Sequence, residues 1–132
     1  MYKGNIKIRF SDCDAGGRIF FSRIFEYAHI VFEDLINEKY SGKDFFASSD
    51  FAVPIIKCSA VFHKPIFLHS ELEVAVTVSS LSTHAFSLSY SFEQDKNIYA
   101  KVETVHVFVN KNNSKISIPE DFKNFLMPLM VK

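Results

Sequence analysis

A short acidic turn near the start of the chain carries the residues best suited to chemistry. The stretch reads Asp12-Cys13-Asp14-Ala15-Gly16-Gly17, with two carboxylates followed by two glycines. A carboxylate can act as a general acid or base or as a nucleophile. The glycines permit positive φ and so allow a tight turn whose backbone N–H groups point at a bound group. A purely structural turn capped by the two acids is an alternative that spacing alone leaves open.

Metal and cysteine chemistry fit the sequence poorly. A calcium loop beginning at Asp12 would place Arg23 at its twelfth position, where a bidentate glutamate is required. The histidines show no paired ligand spacing, so we expect no metal site. Cys13 and Cys58 form no CxxC pair, and the acids beside Cys13 disfavour its thiolate. We therefore expect both cysteines to be reduced and inert.

The acidic turn lies between a predicted strand and a predicted helix. Residues 6–10 alternate between apolar and charged side chains, which predicts a strand with one buried face. From Ser22 to about Lys39 the apolar residues follow a helical period, with Ser22 as the predicted N-cap. The N-terminus of a helix offers unsatisfied N–H donors and partial positive charge. A carbonyl oxygen that gains negative charge would be stabilised there.

The remainder of the chain is dominated by strand patterns, which follow a polar loop predicted near residues 41–50. Pro65 is predicted to close a strand or mark an edge, and Pro119 to start a short terminal helix. The order β-α-β-β-β-β predicts one α+β domain over residues 1–132. The four later strands are predicted at 53–62, 71–80, 85–93 and 98–109.

Composition excludes several classes of protein. The 15 Lys and Arg balance the 15 Asp and Glu, so we expect neither a nucleic-acid partner nor an anionic-membrane partner. No apolar run approaches the roughly 20 residues of a membrane span, and the first residues lack an apolar signal core. We therefore predict a cytoplasmic protein. The 15 Phe and 5 Tyr predict core packing for most rings, and the alternative, that some of them line a pocket for a flat or acyl ligand, stays open.

One predicted helix is too little to cover a five-stranded sheet on both faces. The uncovered face or edge strands would leave apolar area in water. We therefore expect a homodimer or homotetramer, with sheet pairing continued across the contact and the active site at a protomer boundary.

Four segments together carry a resemblance to a known family. They are IRFSDCDAGGRIFFS at 8–22, FAVPIIKCSAVF at 51–62, STHAF at 82–86 and VHVFV at 105–109. In order and spacing they resemble the 4-hydroxybenzoyl-coenzyme A thioesterase family of hotdog-fold enzymes. Within that family, the second and third segments are most similar to the 1,4-dihydroxy-2-naphthoyl-coenzyme A hydrolases of quinone biosynthesis. The resemblance implies a hotdog fold, with one long central helix wrapped by a five-stranded antiparallel sheet.

The resemblance also implies roles for single residues of the acidic turn. Asp14 corresponds to the family's catalytic carboxylate, Gly17 to its motif glycine, and Asp12 to a supporting residue. Phe21 corresponds to the position whose backbone N–H polarises the thioester carbonyl. Phe20, which we place among the substrate contacts, and Phe21 stand where the family often has Tyr or His, so a hydroxyl or imidazole contribution is absent.

Contacts to the coenzyme A phosphates are less well defined by the resemblance. Ser82, Thr83 and His84 occupy the place of a basic cluster in the hydroxybenzoyl enzyme. His84, together with His63, Lys64 and Arg18, supplies the candidate substrate-binding groups.

The sequence therefore predicts a thioesterase that hydrolyses an acyl- or aroyl-coenzyme A without a metal or cofactor. Asp14 would act as nucleophile or as general base on water, and sequence leaves both open. A broad fatty acyl-coenzyme A or acyl-carrier-protein thioesterase is one alternative, because a Phe-rich pocket accepts an alkyl tail as readily as a ring. A non-catalytic acyl-binding protein of the same fold is another.

Overall fold

A computed structural model describes residues 1–131. The predicted α+β class is confirmed, with five strands in one antiparallel sheet and three short helices. The strands are β1 (Tyr2–Lys7), β2 (Ile55–Phe62), β3 (Glu71–Leu81), β4 (Ala85–Gln94) and β5 (Asn97–Val107), and the helices are α1 (Arg23–Ile36), α2 (Gly42–Phe46) and α3 (Glu120–Leu126). Single 3-10 turns lie at Phe10–Asp12 and Met127–Leu129.

The sheet has the strand order β1-β3-β4-β5-β2, so the first two strands of the chain form its two edges. Strands β3, β4 and β5 form a meander in which Ser89 lies opposite both Thr77 and Glu103. Side chains of β4 alternate between a buried face and a face of serines. The buried face, with Phe86, Leu88, Tyr90 and Phe92, belongs to the same core cluster as α1.

Helix α1 covers the inner face of the sheet with the apolar stripe predicted from sequence. Ile24, Ala28, Val31 and Leu35 are all buried in the core. Strand β1 passes close to this helix at Gly4, where a Cβ would lie only 2.9 Å from Cγ1 of Val31. A glycine is therefore needed for the close approach.

The predicted long central helix is wrong in its length. Helix α1 has 14 residues and ends at Ile36 rather than near Lys39. The residues that follow Ile36 are exposed, and Glu38 N–H donates to Leu35 O in a tighter turn, so no burial favours continuing the helix. Ser22 does occupy the predicted N-cap position, but its side chain makes no capping hydrogen bond.

Two further predictions need correction. Strand β1 covers Tyr2–Lys7 rather than residues 6–10, because the exposed Phe10 begins a 3-10 turn. The predicted polar loop contains α2, which the Ser41 hydroxyl caps by accepting from Asp44 N–H, and which buries Phe45. A five-residue helix leaves too short a pattern to read from sequence.

Both proline predictions are confirmed. Pro65 follows the end of edge strand β2, and Pro119 directly precedes α3. Among residues 1–131, no helix combines the length and the apolarity that a membrane crossing requires.

Candidate active site

The acidic turn is the tip of a narrow hairpin that leads into α1. Asp14 N–H donates to Arg18 O at 2.7 Å, and Gly17 N–H donates to Asp14 O at 3.1 Å. Gly17 has a φ of +76°, a backbone conformation that residues with a side chain rarely adopt. The turn therefore requires a glycine at this position, three residues after Asp14.

The Asp14 carboxylate has one engaged oxygen and one open oxygen. Oδ1 accepts hydrogen bonds from Gly16 N–H at 2.9 Å and from Arg18 N–H at 3.2 Å. In the part of the chain that the structure describes, Oδ2 accepts no hydrogen bond. Two backbone donors fix the orientation of the carboxylate, while Oδ2 stays available to a reacting group or a water.

The Phe21 N–H is an unused donor beside this carboxylate. Helix α1 begins two residues later, and no hydrogen bond from Phe21 N–H is found within residues 1–131. The start of α1 adds partial positive charge, although its Arg23 N–H donates to Phe20 O and its Phe25 N–H to Ser22 O. The unused Phe21 N–H suits a carbonyl oxygen that becomes negative during reaction.

Asp14 and Phe21 share a pocket of about 300 Å³ with the segment that follows β2. The pocket brings together an acid, cationic groups and an apolar wall. It is lined by Asp14, Arg18, Ile19, Phe21, Phe62, His63, Lys64, Pro65 and Ile66. Of the predicted phosphate contacts, Arg18, His63 and Lys64 therefore lie beside Asp14.

The two cationic side chains at this pocket rest on aromatic rings. Lys64 Nζ lies 5.6 Å from the centre of the Tyr99 ring, and Arg18 Cζ lies 5.6 Å from that of Phe67. The N–H groups of His63 and Lys64 both donate to Tyr99 O, which anchors their segment to β5. The result is a positively charged rim suited to phosphate groups.

The structure does not bring every predicted residue into this pocket. His84 lies in the turn between β3 and β4, at the opposite end of strands that span roughly 30 Å at about 3.3 Å per residue. Phe20 lies outside the pocket lining, with its ring 5.0 Å from that of Phe21. Gly17 uses its N–H within the turn and its carbonyl to accept from Leu68 N–H. The substrate-binding roles of these three residues stay predictions.

A partly buried network holds Asp12, which sequence analysis could name only as a supporting residue. Its Oδ2 accepts a 2.6 Å hydrogen bond from the Tyr27 hydroxyl, which in turn accepts from Arg9 N–H at 3.0 Å. Burial, and then the hydrogen bond to Asp12, raise the pKa of Tyr27 to about 12. Arg23 Nε lies 3.8 Å from the other Asp12 oxygen. Sequence patterns missed Tyr27 because one tyrosine within an apolar helical stripe is typical of a core residue.

The cysteines are both free. Burial, followed by the charges of Asp14 and Asp12, raises the pKa of the Cys13 thiol, which disfavours the thiolate. Cys58 is exposed on β2. Among the described residues, no three His, Cys, Asp or Glu side chains are close enough to hold a metal ion.

A larger hollow of about 760 Å³ lies along edge strand β1, but its residues are less suited to a reaction. It is lined by β1, β3 and the β4–β5 turn, and its Lys3 and Glu73 form an exposed salt bridge of 3.3 Å. The Lys3–Glu73 charge pair and a lining that contains no described helix N-terminus make it a poor reaction site. The Asp14 pocket is smaller, but it combines a carboxylate that has an open oxygen with the residue Phe21 just before α1.

Comparison with known proteins identifies the family of this chain. A model of the Thioesterase-like superfamily matches residues 8–126, from the end of β1 to the end of α3. The chain belongs to this superfamily. The predicted relationship is therefore confirmed, and so is the predicted class of enzyme, a thioesterase.

Members of the superfamily with assigned activities include similar proteins of cyanobacteria. A 1,4-dihydroxy-2-naphthoyl-CoA hydrolase of Crocosphaera subtropica is 31% identical over 112 residues, which cover 80% of either chain. Another from Nostoc punctiforme is 27% identical over 124 residues, covering 92% of this chain and 84% of the relative. The crystal structure of a 1,4-dihydroxy-2-naphthoyl-CoA thioesterase from Synechocystis superposes with a TM-score of 0.88 at 23% identity, covering 97% of this chain and 96% of that one. At that identity the structural match establishes the fold.

Proposed function

We propose that this protein hydrolyses an aroyl-coenzyme A thioester, 1,4-dihydroxy-2-naphthoyl-CoA or a close analogue, at the Asp14 pocket. The observation that carries the proposal is the shared pocket of Asp14, with an unengaged Oδ2, and Phe21, with an unused N–H. The names of the cyanobacterial relatives support the choice of acyl group.

In the proposed reaction, the thioester carbonyl oxygen accepts a hydrogen bond from Phe21 N–H. This donor stabilises the negative charge that develops on the oxygen, and the positive end of α1 adds to it. Asp14 Oδ2 then either attacks the carbonyl carbon or removes a proton from an attacking water. The C–S bond breaks, and coenzyme A leaves as a thiolate that takes up a proton.

The two roles of Asp14 differ in the fate of the oxygen atoms. Nucleophilic attack forms an acyl-aspartyl anhydride, which water hydrolyses in a second step. A single turnover in H₂¹⁸O, followed by mass spectrometry of the peptide containing Asp14, reveals the nucleophile when water attacks the aspartyl carbon, because the label then enters Asp14. Label only in the released acid arises either from the general base or from water attack on the acyl carbon of the anhydride. Rapid-quench mass spectrometry for an acylated Asp14 peptide separates these two routes.

The positive rim of the pocket is proposed to hold the coenzyme A phosphates. Lys64 and Arg18 carry the charge, and the rings of Tyr99 and Phe67 limit the mobility of their side chains. His63 is proposed as a further contact from the same segment. His84 would reach a coenzyme A molecule only from a neighbouring protomer, because its turn lies at the other end of the sheet.

We further propose that two copies pair through β2. In the described chain this strand has a sheet neighbour on one side only, and its apolar side chains are exposed, Ile56 at 60% and Phe62 at 40%. A long, apolar, unpaired edge favours association with another strand. Pairing there would cover the Phe62 side of the active-site pocket with a second protomer and would continue the sheet.

The deciding experiment is thiol release from a panel of thioesters. It compares 1,4-dihydroxy-2-naphthoyl-CoA, benzoyl-CoA, fatty acyl-CoAs and acyl-carrier-protein thioesters, with wild type and Asp14→Asn side by side. We expect the aroyl substrates to react fastest and kcat to fall at least about a hundredfold in Asp14→Asn, with the fold retained. Asp12→Asn serves as the matched control and should lose less.

Other results of this panel would change the proposal. Preference for long alkyl chains would favour the broad fatty acyl thioesterase. Tight binding of an acyl-CoA without turnover would favour the acyl-binding protein. Equal rates of wild type and Asp14→Asn would remove Asp14 from the mechanism.

A further inference from the structure

We propose that Tyr27 is a positioning residue of this active site. Its hydroxyl fixes the Asp12 carboxylate and thereby holds the hairpin that bears Asp14 against the first turns of α1. The inference rests on the proposed function, because it concerns the same thioesterase site.

The Tyr27 hydroxyl both donates and accepts a hydrogen bond, which restrains its position. It donates to Asp12 Oδ2 at 2.6 Å and accepts from Arg9 N–H at 3.0 Å. An O–H donor on a carboxylate at this distance makes one of the stronger hydrogen bonds found in proteins. Tyr27 is only 4% exposed and belongs to the hydrophobic core. The carboxylate is therefore tied to a rigid point on the helix.

Asp12 transmits this constraint to both reacting groups. Its carbonyl accepts from Phe20 N–H at 2.8 Å, so it pairs the two arms of the hairpin at their base. Asp14 lies two residues along one arm, and Phe21 follows Phe20 on the other. Fixing Asp12 therefore holds the arm that bears Asp14 in a fixed position relative to the arm that bears the Phe21 N–H. A displacement of about 1 Å in such a pair is enough to lower a reaction rate substantially.

Arg23 is a weaker anchor for the same carboxylate. Its Nε lies 3.8 Å from Asp12 Oδ1, while its Nη1 is engaged by Glu26 at 2.8 Å. Both of these contacts involve a partly exposed arginine side chain. The short, partly buried hydrogen bond from Tyr27 is therefore the principal restraint on Asp12.

Tyr27 acts through Asp12 rather than on the substrate. It does not line the Asp14 pocket. If the hydroxyl only completed hydrogen bonds in the core, its removal would change the stability of the protein but not the kcat of the folded enzyme. A positioning role predicts instead a loss in kcat that depends on the presence of Asp12.

The first test is Tyr27→Phe, which keeps the ring and removes the hydroxyl. We expect kcat to fall about tenfold or more, with KM changed less than about threefold, because orientation of the reacting groups is lost rather than binding. The matched control is Tyr90→Phe, which removes another buried hydroxyl, bonded to Thr104 at 3.3 Å on the sheet. The control should keep its kcat. Equal kcat in the two variants would overturn the inference.

A double-mutant cycle then asks whether Tyr27 works through Asp12. In an Asp12→Ala background, Tyr27→Phe should cost no further activity, and Asp12→Asn, which keeps an acceptor oxygen, should lose less than Asp12→Ala. Losses from Tyr27→Phe and Asp12→Ala that simply multiply would contradict the inference.

Amide hydrogen exchange gives a readout that needs no activity. The Phe20 amide donates to Asp12 O, and its exchange rate should rise in Tyr27→Phe and stay at the wild-type value in Tyr90→Phe. Unchanged exchange in both variants would overturn the positioning role. A wild-type protein without activity on the thioester panel would overturn the proposed function instead, so the two failures are distinguishable.

Discussion

The imidazole of His106 stacks on the ring of Phe86, with 4.7 Å between ring centres and 4° between ring planes. Its Nε2 lies 2.8 Å from Thr104 Oγ1, and its Nδ1 is buried without a partner among the described residues. Burial, and then the nearby His29, lower the pKa of His106 from 6.5 to about 4. The folded protein therefore favours the neutral imidazole.

This depressed pKa predicts acid sensitivity of the fold. Between about pH 6.5 and pH 4 the unfolded chain binds a proton at His106 that the folded chain does not, so stability falls as pH falls through this window. The loss should approach about 3 kcal/mol near pH 4. Urea unfolding at fixed protein concentration from pH 7.5 to 4 measures it.

The comparison uses two histidine variants. His106→Asn should flatten the pH dependence of unfolding. His69→Asn, at an exposed position with a φ of 66° that asparagine tolerates, should leave it unchanged. An unaltered pH dependence in His106→Asn would refute the assignment.

A pair of substitutions at Phe21 separates its backbone from its ring. Phe21→Leu keeps the N–H and should retain much of the activity. Phe21→Pro removes the N–H and should raise the barrier by about 3 kcal/mol, a loss of about a hundredfold in kcat. Kinetics are compared for variants with matching circular dichroism. Equal losses in the two would show that the ring matters rather than the amide.

Lys64 is predicted to act on the nucleotide part of the substrate. Lys64→Ala should raise KM for an acyl-CoA severalfold and leave kcat nearly unchanged. With the matching acyl-pantetheine, which lacks the nucleotide phosphates, wild type and variant should have the same KM. Lys101→Ala, on an exposed part of β5, is the control. A KM effect of equal size on the acyl-pantetheine would argue against a phosphate contact.

Pairing through β2 predicts a response to charge at its exposed edge. Ile56→Lys should shift the protein to a monomer in sedimentation velocity and reduce activity, because like charges would meet across the pairing. Ile30→Lys places the same charge on an exposed position of α1 and should leave the assembly intact. A wild type that sediments as a monomer with full activity would rule out a shared site.

The features that sequence could predict are those encoded by local periodicity. The alternation of Ile6 and Ile8 identified the buried face of the first strand, although not its limits, because the strand ends where Phe10 starts a turn. The acidic turn was identified by its glycines, and the structure shows why Gly17 is required. The roles given to Asp14 and Phe21 come from resemblance to a family and stay predictions, although the structure places both residues in one pocket.

Contacts between distant parts of the chain could not be predicted. Tyr27 and Asp12 are 15 residues apart and share no periodicity, yet they form the shortest hydrogen bond of the site. The placement of His63 and Lys64 beside Asp14 depends on the path of the chain after β2. In the sequence His84 is a candidate of the same kind, but the β3–β4 turn places it at the opposite end of the strands from Asp14.

The strand order has a consequence for how the chain folds during synthesis. Both edge strands, β1 and β2, leave the ribosome early, but their partners β3 and β5 follow only after residue 70. We expect the β3–β4–β5 meander to nucleate the sheet, since its contacts are local and close the shortest loops. Until then the apolar stripe of α1 has β1 beside it but lacks most of the sheet face that covers it in the folded protein. Folding of the N-terminal half therefore requires the later strands to be synthesised first. A chain stalled before β5 would leave the apolar face of α1 and the unpaired strand β2 exposed and prone to aggregation.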